Sequence, residues 1–437
     1  MNNSKREILR FRGLGSGGEG SSKTKGRQAD PATVEEISDL LGELPRSRDH
    51  LIEGLHLIQD RYRGLSPGRL AALADLYHLS LADVYETATF YHHFDVLDDG
   101  DEHPPEITIR VCDSVTCAMF GAEQLRCDLI TANLENVRVV HAPCMGACDQ
   151  APAVTIGKNQ IGRASIGQVE KAVAEKATNP VIPGYIDYDT YLLEGGYETL
   201  RNCLLGNLSR EDVISRLESS ELRGLGGAGF PTGQKWRIVS GFDGPRLMAV
   251  NADEGEPGTF KDRYFMESDP HRFLEGVLIG LWAVKADACY IYLRDEYPAA
   301  REILLRAIAK LEQTDLLESG CLHLRRGAGA YICGEESAML ESIEGKRGLP
   351  RHKPPFAAEI GLFSRPTLIN NVETLFWVRD VLEKGADWFS GHGRNGRKGI
   401  RTFSVSGRVR EPGVKIAEAG ITIRELIDEY CGGMADG

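Results

Sequence analysis

Apolar side chains recur at steps of three and four residues in four stretches between residues 31 and 95. This spacing places the apolar side chains on one face of a helix, so the region is predicted to be a helical bundle. The four stretches are TVEEISDLLGEL, HLIEGLHLIQDRY, GRLAALADLY and SLADVYETATFYHHF. Ser80 begins the last stretch and is the expected N-cap of its helix.

The pattern then changes to short apolar strands that alternate with helices over residues 96–177. EITIRVC and VRVVHAPC are predicted strands, AEQLRCDLITANL and GQVEKAVAEKA are predicted helices, and a hairpin is expected at residues 157–159. This order resembles a small thioredoxin-like α/β unit. The prolines of TNPVIPGY interrupt the pattern, so residues 178–199 are interpreted as a linker.

A larger α/β region is predicted over residues 200–400. From Arg401 onward the pattern is strand, turn, strand and helix. One helix and one strand pair cannot enclose a hydrophobic core. Residues 401–437 are therefore expected to be the start of a third domain that is incomplete in this chain.

Composition and charge narrow the class of protein. A chain of 437 residues has room for about three domains, and its 42% apolar residues are enough for a buried core. The net charge of −13 argues against nucleic-acid binding. No apolar run approaches the roughly 20 residues of a membrane span, and no signal-peptide segment is present. Residues 1–30 are interpreted as a flexible basic tail, and the protein is expected to be cytoplasmic without direct membrane insertion.

The stretch LRGLGGAGFPTGQKW contains the spacing G-x-G-x-x-G at Gly224, Gly226 and Gly229. In a Rossmann fold these glycines follow a strand and open a helix. Here the preceding segment, SREDVISRLESSEL, has a helical pattern with Ser209 as its expected N-cap, so the context argues against a Rossmann loop. Closely spaced glycines still let backbone N–H groups approach an anion, and Lys235 supplies a cation nearby.

Two later stretches point to a ligand. VNADEGEPGTFKDR follows an apolar strand and gathers carboxylates and an amide, and GAGAYICGEESAMLESIEGKRGLPRHKPPF is a second glycine-rich loop before a helix. Carboxylates and amides suit sugar hydroxyls, and glycine loops suit phosphates. Each stretch alone is more often a solvated turn, but together they predict a nucleotide or flavin site.

These three stretches and INNVETL resemble the flavoprotein subunit of respiratory complex I and its relatives in NAD-reducing hydrogenases and NAD-dependent formate dehydrogenases. The resemblance covers roughly residues 190–437 and implies a non-Rossmann α/β domain that binds FMN and NADH in one cavity, followed by a β-grasp-like (SLBB) domain. It implies FMN contacts from Gly224, Gly226, Gly227, Lys235, Asn251, Asp253, Glu254, Tyr331, Gly334, Glu335, Asn370, Asn371 and Thr374. It implies NADH contacts from Phe230, Glu256, Glu336, Lys353 and Phe356. Leu225 departs from the arginine common in complex I relatives.

The implied chemistry is hydride transfer from nicotinamide to flavin, which needs close and oriented stacking of the two rings. The cofactors carry that chemistry, so no acid–base pair or triad is expected from the protein. Phe230 and Phe356 would offer apolar surface to the dinucleotide, and Glu256 and Glu336 would bind its hydroxyls. Because carboxylates repel a 2′-phosphate, NAD is predicted over NADP.

Four cysteines form two pairs. Cys112 and Cys117 follow one predicted strand, and Cys144 and Cys148 follow the next. If these strands are parallel neighbours, the four sulfurs converge at one sheet edge, where thiolates suit either zinc or an iron–sulfur cluster. The C-x4-C and C-x3-C spacing and the preceding bundle resemble the 2Fe–2S subunit of complex I, so a 2Fe–2S cluster is expected and zinc is the alternative. The other cysteines are interpreted as packing residues, and His92 and His93 as interface or core residues.

Both modules in one chain most resemble the fused diaphorase subunit of a hydrogenase or formate dehydrogenase. The expected function is electron transfer between NAD(H), FMN and iron–sulfur centres, with other redox subunits as partners. The family's cysteine-rich motif for a 4Fe–4S cluster is absent from this sequence, and a fragment is the preferred explanation. The alternatives are a Rossmann-type NAD dehydrogenase and a zinc-stabilised scaffold without redox chemistry.

Overall fold

The computed structural model describes residues 27–435, so most of the expected basic tail lies outside the described residues. Four helices come first: α1 (Pro31–Leu41), α2 (Leu51–Tyr62), α3 (Pro67–Leu76) and α4 (Leu81–Phe90). Asp30 and Ser80 cap α1 and α4, because each carboxylate or hydroxyl oxygen accepts a hydrogen bond from the backbone N–H three residues later, at 3.0 and 3.1 Å. The predicted N-cap at Ser80 is confirmed.

A four-stranded sheet with flanking helices follows the bundle. Its elements are β1 (Ile107–Cys112), α5 (Val115–Met119), α6 (Ala122–Ala132), β2 (Val137–Ala142), β3 (Val154–Ile156), β4 (Asn159–Ile161) and α7 (Ile166–Ala174). The strand order is β2-β1-β3-β4. β1 and β2 are parallel, and β3 and β4 form the expected antiparallel hairpin. Because β1 and β2 run in the same direction, their carboxyl ends meet at one edge.

Four helices lead into the next sheet: α8 (Tyr188–Leu193), α9 (Glu198–Leu204), α10 (Arg210–Ser219) and α11 (Thr232–Ser240). Ser209 caps α10, and Ser209 and Asp212 exchange hydrogen bonds in a capping box. The G-x-G-x-x-G stretch therefore follows a helix, as its context predicted. α8 lies inside residues 178–199, the segment interpreted as a linker. Tyr191 of α8 is part of the hydrophobic core, so this part of the segment is packed and is not a free linker.

The second sheet, called the parallel sheet below, contains β5 (Arg246–Ala252), β6 (Ala286–Leu293), β7 (Leu322–Arg326) and β8 (Thr367–Asn371). Its order is β7-β6-β5-β8, and every pairing is parallel. The remaining helices of this region are α12 (Lys261–Ser268), α13 (Pro270–Val284), α14 (Pro298–Leu311), α15 (Glu336–Ile343), α16 (Val372–Phe376), α17 (Val378–Lys384) and α18 (Ala386–Gly391). The order matches the first four strands of a doubly wound dinucleotide-binding sheet. The difference is that the glycines here precede β5 instead of following it.

The two faces of the parallel sheet pack against different parts of the chain. Met248 and Val250 point into the larger core, which holds residues of α11, α13 and α14. Leu247 and Ala249 point into a second core that they share with residues of α1–α4 and α15. The N-terminal bundle therefore covers one face of the parallel sheet, an arrangement that its local pattern does not predict.

An antiparallel hairpin ends the described chain. β9 (Ile400–Val405) pairs with β10 (Gly413–Glu418), and α19 (Ile423–Glu425) follows and continues as a π-helical turn to Tyr430. This order agrees with the predicted strand, turn, strand and helix. The hairpin is tied to the parallel-sheet region, since the backbone N–H of Thr402 donates to Glu373 at 2.9 Å. The assignment of these elements to an SLBB domain stays a prediction.

The most apolar stretch, residues 276–284, lies in α13. Most of α13 is buried in the larger core, where it packs against α11 and α16. Within residues 27–435, no helix combines the length and the apolar character needed to cross a bilayer.

Candidate functional site

A cavity of about 480 Å³ lies at the carboxyl edge of the parallel sheet. β5 leads to β6 on one side and pairs with β8 on the other, so the connections diverge here, and such switch points are where open parallel sheets bind ligands. The lining residues are Leu225, Gly226, Gly227, Asn251, Asp253, Glu254, Gly255, Glu256, Thr259, Lys261, Asp262, Tyr331, Ile332, Gly334, Glu335 and Asn371. The volume falls within the roughly 300–1,000 Å³ of small-molecule and cofactor sites.

The glycine loop, residues 224–233, forms one wall of this cavity. A Cβ added to Gly226 would lie 3.0 Å from the Cβ of Asn371, so a side chain there would crowd β8, and glycine allows the close approach of the loop. The backbone N–H of Leu225 donates to Thr374 Oγ1 at 2.9 Å, and this hydrogen bond attaches the loop to α16. Among the described residues, no carbonyl or side chain accepts from the N–H groups of Gly226 and Gly227, which are therefore available to a bound anion.

The acidic loop, residues 251–260, forms the opposite wall. Asn251 Nδ2 donates to the carbonyl oxygen of Gly334 at 2.8 Å, which joins this loop to the segment before α15. Glu254 is buried and caps α12, because its carboxylate accepts the backbone N–H groups of Lys261 and Asp262 at 3.0 and 3.1 Å. Asp253 differs from Glu254, since no group within residues 27–435 donates a hydrogen bond to its carboxylate.

Burial raises the pKa of two acidic-loop carboxyl groups. The pKa of Asp253 is raised to about 7 by burial, with partial opposition from Arg294. Burial and the neighbouring carboxylate of Asp262 raise the pKa of Glu254 to about 7. A carboxylate that lines a cavity and receives no hydrogen bond from the protein is stabilised by hydroxyl groups of a ligand. Asp253 therefore suits a polyol, such as the ribityl chain of FMN.

The raised pKa of Asp253 predicts that ionisation of its carboxyl group has a pH-dependent cost in the stability of the folded chain. The unfolded chain loses this proton near pH 4 and the folded chain near pH 7, so the free energy of unfolding falls as pH rises through this window. Asp253→Asn removes the cost, so the FMN-free variant should be more stable than the wild type by roughly 1–4 kcal/mol at pH 8, and by less at pH 5. Thermal unfolding at both pH values tests this. The control is Asp243→Asn, at an exposed position between α11 and β5, and its stability should differ from that of the wild type by the same amount at both pH values. An equal gain in stability at pH 5 and pH 8 for Asp253→Asn would contradict the prediction.

The segment before α15 lines the cavity, and Lys353 is joined to the end of that segment. Tyr331 donates its hydroxyl to Glu256 at 2.6 Å and so bridges two of the predicted stretches. Glu335 caps α15 by accepting the backbone N–H groups of residues 337 and 338. Lys353 donates to Glu335 and Glu336 at 3.0 and 2.8 Å. These ion pairs place both glutamates and the lysine on one rim.

Two aromatic rings stand exposed beside the site. The exposed fractions of Phe230, from the glycine loop, and Phe356, after Lys353, are 41% and 60%. Tyr331 is exposed to a similar degree, at 62%. Exposed aromatic rings offer stacking surface to a planar ligand. Stacking against the dinucleotide stays a prediction for both phenylalanines, since neither lines the cavity.

The structure separates the predicted site residues into those that line the cavity and those that do not. The residues outside the lining are Gly224, Phe230, Lys235, Glu336, Lys353, Phe356, Asn370 and Thr374. Lys235 Nζ donates to a β8 carbonyl at 3.1 Å, and Asn370 Oδ1 accepts from the Trp236 indole at 2.9 Å. Their observed contacts hold the glycine loop and α11 against β8, and direct contact with FMN stays a prediction for them.

Sequence reasoning did not single out Lys261, which lines the cavity. Its ammonium pairs with Asp262 at 2.7 Å and with Glu373 at 3.1 Å. Burial opposes its charge, but Asp262 and Glu373 outweigh the burial and raise the pKa of Lys261 above its ordinary value. In the sequence, Lys261 and Asp262 are adjacent inside the stretch VNADEGEPGTFKDR, and this pair could have indicated that Lys261 belongs to the site.

The four paired cysteines lie together at the carboxyl edge of the first sheet. Cys112 is the last residue of β1 and pairs in register with the last residue of β2, so the expected parallel arrangement is observed. All four thiols are free and at most 3% exposed. The sulfurs of Cys144 and Cys148 are 3.3 Å apart, and the Cys112 thiol lies within hydrogen-bonding range of Cys117 and Cys144. Four converging free thiols form a donor set for an iron–sulfur cluster or zinc.

The cysteine loop, residues 143–148, packs directly against the acidic loop. Phe260, the last residue of the acidic loop, is 1% exposed and contacts Cys144 and Cys148. The two candidate sites therefore share an interface, although they lie on different sheets. The sequence predicts the sites separately and does not predict this contact.

Most of the remaining cysteines are packing residues, as expected. Cys203, Cys289, Cys333 and Cys431 are buried, whereas Cys127 is exposed. His93 lies near His56 and its ring pairs with Asp295 at 2.7 Å, which places it at the junction of the bundle and the parallel sheet. These positions agree with the interpretation of His93 as a core or interface residue.

Two protein-family models match this chain. Residues 37–177 match the thioredoxin-like [2Fe-2S] ferredoxin domain, and residues 217–380 match the Nuo51 FMN-binding domain. The chain therefore combines a thioredoxin-like 2Fe–2S domain with an FMN-binding domain, as its sequence predicts, and FMN and a 2Fe–2S cluster are its cofactors. The zinc alternative and the Rossmann-type dehydrogenase alternative do not agree with these matches.

Comparison with individual proteins gives the same layout. The chain is 34% identical to the NAD-reducing hydrogenase HoxS subunit alpha of Cupriavidus necator, over 90% of this chain and 71% of that relative. It is 47% identical to an NADH-quinone oxidoreductase subunit of Rhizobium meliloti, over 57% of this chain and 61% of that relative. A crystal structure of an NAD⁺-reducing [NiFe]-hydrogenase matches with a TM-score of 0.76 at 29% identity, over 89% of this chain and 70% of that chain. The chain spans about three fifths of the length of the NADH-quinone oxidoreductase relatives that it matches.

Proposed function

The chain belongs to the family of the NAD-reducing hydrogenase α subunit, and from this premise we propose that it is an FMN-dependent NADH-oxidising or NAD-reducing electron-transfer subunit. It exchanges hydride with NAD(H) and single electrons with iron–sulfur centres. The observation that carries the proposal is the cavity at the β5–β8 switch point, where the glycine loop, the acidic loop and the segment before α15 meet.

The residues that line this cavity suit FMN. The free N–H groups of Gly226 and Gly227 are donors for a phosphate or a flavin carbonyl. The carboxylate of Asp253 is an acceptor for ribityl hydroxyls, and Asn251 and Asn371 are amides at the ends of β5 and β8. When bound, FMN accepts the hydride of NADH and releases its electrons one at a time. The chain holds the flavin by these contacts and supplies no proton to the reaction.

The exposed rim is the proposed site of the dinucleotide. Phe230 and Phe356 stack against its rings, and Glu256 and Glu336 accept from its ribose hydroxyls. Lys353 holds Glu336 in place by their ion pair. Hydride transfer needs the reacting atoms roughly 3–3.5 Å apart, so the main task of the rim is to orient nicotinamide over the flavin.

The proposed partners are the other redox subunits of a hydrogenase, formate dehydrogenase or complex I-type assembly. The support is that the relatives are named as subunits of an NAD-reducing hydrogenase and of NADH-quinone oxidoreductases; formate dehydrogenase rests on the resemblance of the sequence alone. We place the protein in the cytoplasm, with any attachment to the membrane face made through partner subunits. The direction of electron flow is set by those partners.

NADH is expected to exceed NADPH in kcat/KM by at least tenfold, or about 1.4 kcal/mol. The physical reason is that a 2′-phosphate placed beside Glu256 and Glu336 meets like charges, which costs several kcal/mol. The measurement is diaphorase activity of the FMN-loaded protein with an artificial one-electron acceptor. Comparable kcat/KM values for the two dinucleotides would contradict the proposed rim.

A variant with a matched control sharpens this test. The double variant with Glu256→Gln and Glu336→Gln should have a smaller ratio of kcat/KM for NADH to kcat/KM for NADPH, because the two side chains no longer repel the 2′-phosphate of NADPH. Glu318→Gln, which changes an exposed glutamate before β7, removes a similar charge far from the site and should leave the preference unchanged. An unchanged preference in the double variant would mean that other residues select the dinucleotide.

A further inference from the structure

Arg294 joins the two loops that carry the proposed redox sites. It directly follows β6, and its side chain is 5% exposed. One guanidinium N–H donates to the backbone carbonyl of Glu254 at 2.5 Å, and another donates to the backbone carbonyl of Cys144 at 2.7 Å. A single buried cation therefore holds the acidic loop and the cysteine loop together.

Close packing fixes this junction. The Arg294 guanidinium lies 5.0 Å from the ring centroid of Tyr297, whose hydroxyl donates to the carboxylate of Glu254 at 3.1 Å. A Cβ added to Gly146 would lie 2.5 Å from the same hydroxyl, and Gly146 has a left-handed φ of +68°. Glycine is therefore required between the cysteines of this pair, because the loop lies directly on Tyr297.

The charge of Arg294 is permanent. Burial disfavours the charged form, but the carboxylate of Glu296 at 3.2 Å outweighs the burial and holds the pKa of Arg294 well above its ordinary value. Glu296 is the ion-pair partner of Arg294, and Asp253 adds a weaker attraction. The cation next to Cys144 is thus buried and held in place by its ion pair with Glu296.

A buried cation changes the reduction potential of a neighbouring iron–sulfur cluster. Uptake of one electron by an oxidised 2Fe–2S cluster adds one negative charge to it. A fixed positive charge that is hydrogen-bonded to the backbone of a ligand stabilises the reduced state more than the oxidised state. Cluster potentials respond to the net charge around the cluster, and Arg294 contributes a positive charge at the Cys144 backbone.

We propose that Arg294 is a positioning residue that raises the reduction potential of the 2Fe–2S cluster by holding a buried cation at the Cys144 backbone. The inference rests on the proposed function, because it assumes that electrons pass between the two loops that Arg294 joins. It adds a role for a residue that does not itself line the flavin cavity and donates no hydrogen bond to a cysteine sulfur.

The test compares Arg294→Met with Arg294→Lys in the full, cluster-loaded chain. The cluster potential is measured by anaerobic redox titration with dithionite, followed by electron paramagnetic resonance. Arg294→Met should lower the equilibrium constant for one-electron reduction about tenfold, which corresponds to about 59 mV. Arg294→Lys keeps the charge, so its shift should be clearly smaller. An unchanged potential in Arg294→Met, or equal shifts in both variants, would overturn the proposal.

Arg326→Met is the matched control. Arg326 ends β7 at the same sheet edge, has a side chain that is 10% exposed, and pairs with Asp60 and Asp295 instead of the redox loops. Its loss removes a guanidinium of the same size without changing the contacts of Cys144. The cluster potential of this variant should equal that of the wild type. A shift as large as that of Arg294→Met would show that any buried arginine at this edge has the same effect.

Glu296→Gln gives a test of opposite sign. It removes the main counter-charge of Arg294 while leaving the arginine in place, so the cluster potential should rise. An unchanged or lower potential would overturn the proposal even if Arg294→Met failed to retain its cluster. Dithionite reduces the cluster without NADH, so these titrations succeed even if NADH fails to reduce the flavin, and the two failures are distinguishable.

Discussion

Replacement of Cys144 with alanine is expected to remove the 2Fe–2S cluster and leave FMN binding intact. Cys144 is 3% exposed, and its sulfur lies 3.3 Å from that of Cys148. Cluster iron needs its full set of thiolate ligands, so iron should fall from about two atoms per chain to a small fraction of that. FMN should be retained, because Arg294 contacts the backbone carbonyl of residue 144 and not its side chain.

Iron and sulfide analysis with visible spectroscopy checks this result. The matched control is Cys127→Ala, since Cys127 lies exposed on α6 and away from the other thiols. The control should keep the wild-type iron content. Wild-type iron in Cys144→Ala, or zinc in place of iron in the unmodified protein, would contradict the assignment of the four cysteines.

The second large effect is expected for Gly226→Val, which should weaken FMN binding by tenfold to about 100-fold. A Cβ at this position already lies 3.0 Å from the Cβ of Asn371, and two further methyl groups have to enter the cavity or displace β8. Overpacking of this kind costs roughly 1–3 kcal/mol. Fluorescence titration of the FMN-free protein with FMN measures the change.

Gly184→Val is the control for this substitution. Gly184 lies in the exposed segment before α8, and a Cβ there meets no atom within 4 Å. Its FMN affinity should equal that of the wild type. Unchanged affinity in Gly226→Val would move the flavin away from the glycine loop. Iron content should be normal in both variants, which shows that the rest of the chain is folded.

Features that depend on local spacing could be predicted from the sequence. Ser80 and Ser209 cap helices because a hydroxyl at the N-cap satisfies a free backbone N–H. The cysteine pairs converge because each follows a strand and the two strands are parallel neighbours. The glycine loop could be separated from a Rossmann loop because the helical pattern before it was visible in the sequence.

Features that depend on distant partners could not be predicted. The strand order places β5 between β6 and β8, and no local pattern specifies which strands become neighbours. The bundle packs on the parallel sheet through Leu247 and Ala249, which alternate with residues of the other face as in any strand buried on both faces. Glu254 lines the cavity, and its contact with FMN stays a prediction, but its hydrogen bonds to the start of α12 could not be predicted. Arg294 has partners at residues 144 and 254, a combination that only the folded chain creates.

The most direct test of the account is an anaerobic visible spectrum of the FMN- and iron-reconstituted protein before and after addition of NADH. The account predicts that the flavin band bleaches with NADH, because the cavity and the exposed rim bring both ligands together. Bleaching of the broader iron–sulfur absorbance in the same sample would show that electrons also reach the cluster at Cys144. A flavin that binds and is reduced by dithionite but stays oxidised with NADH would contradict the proposed function.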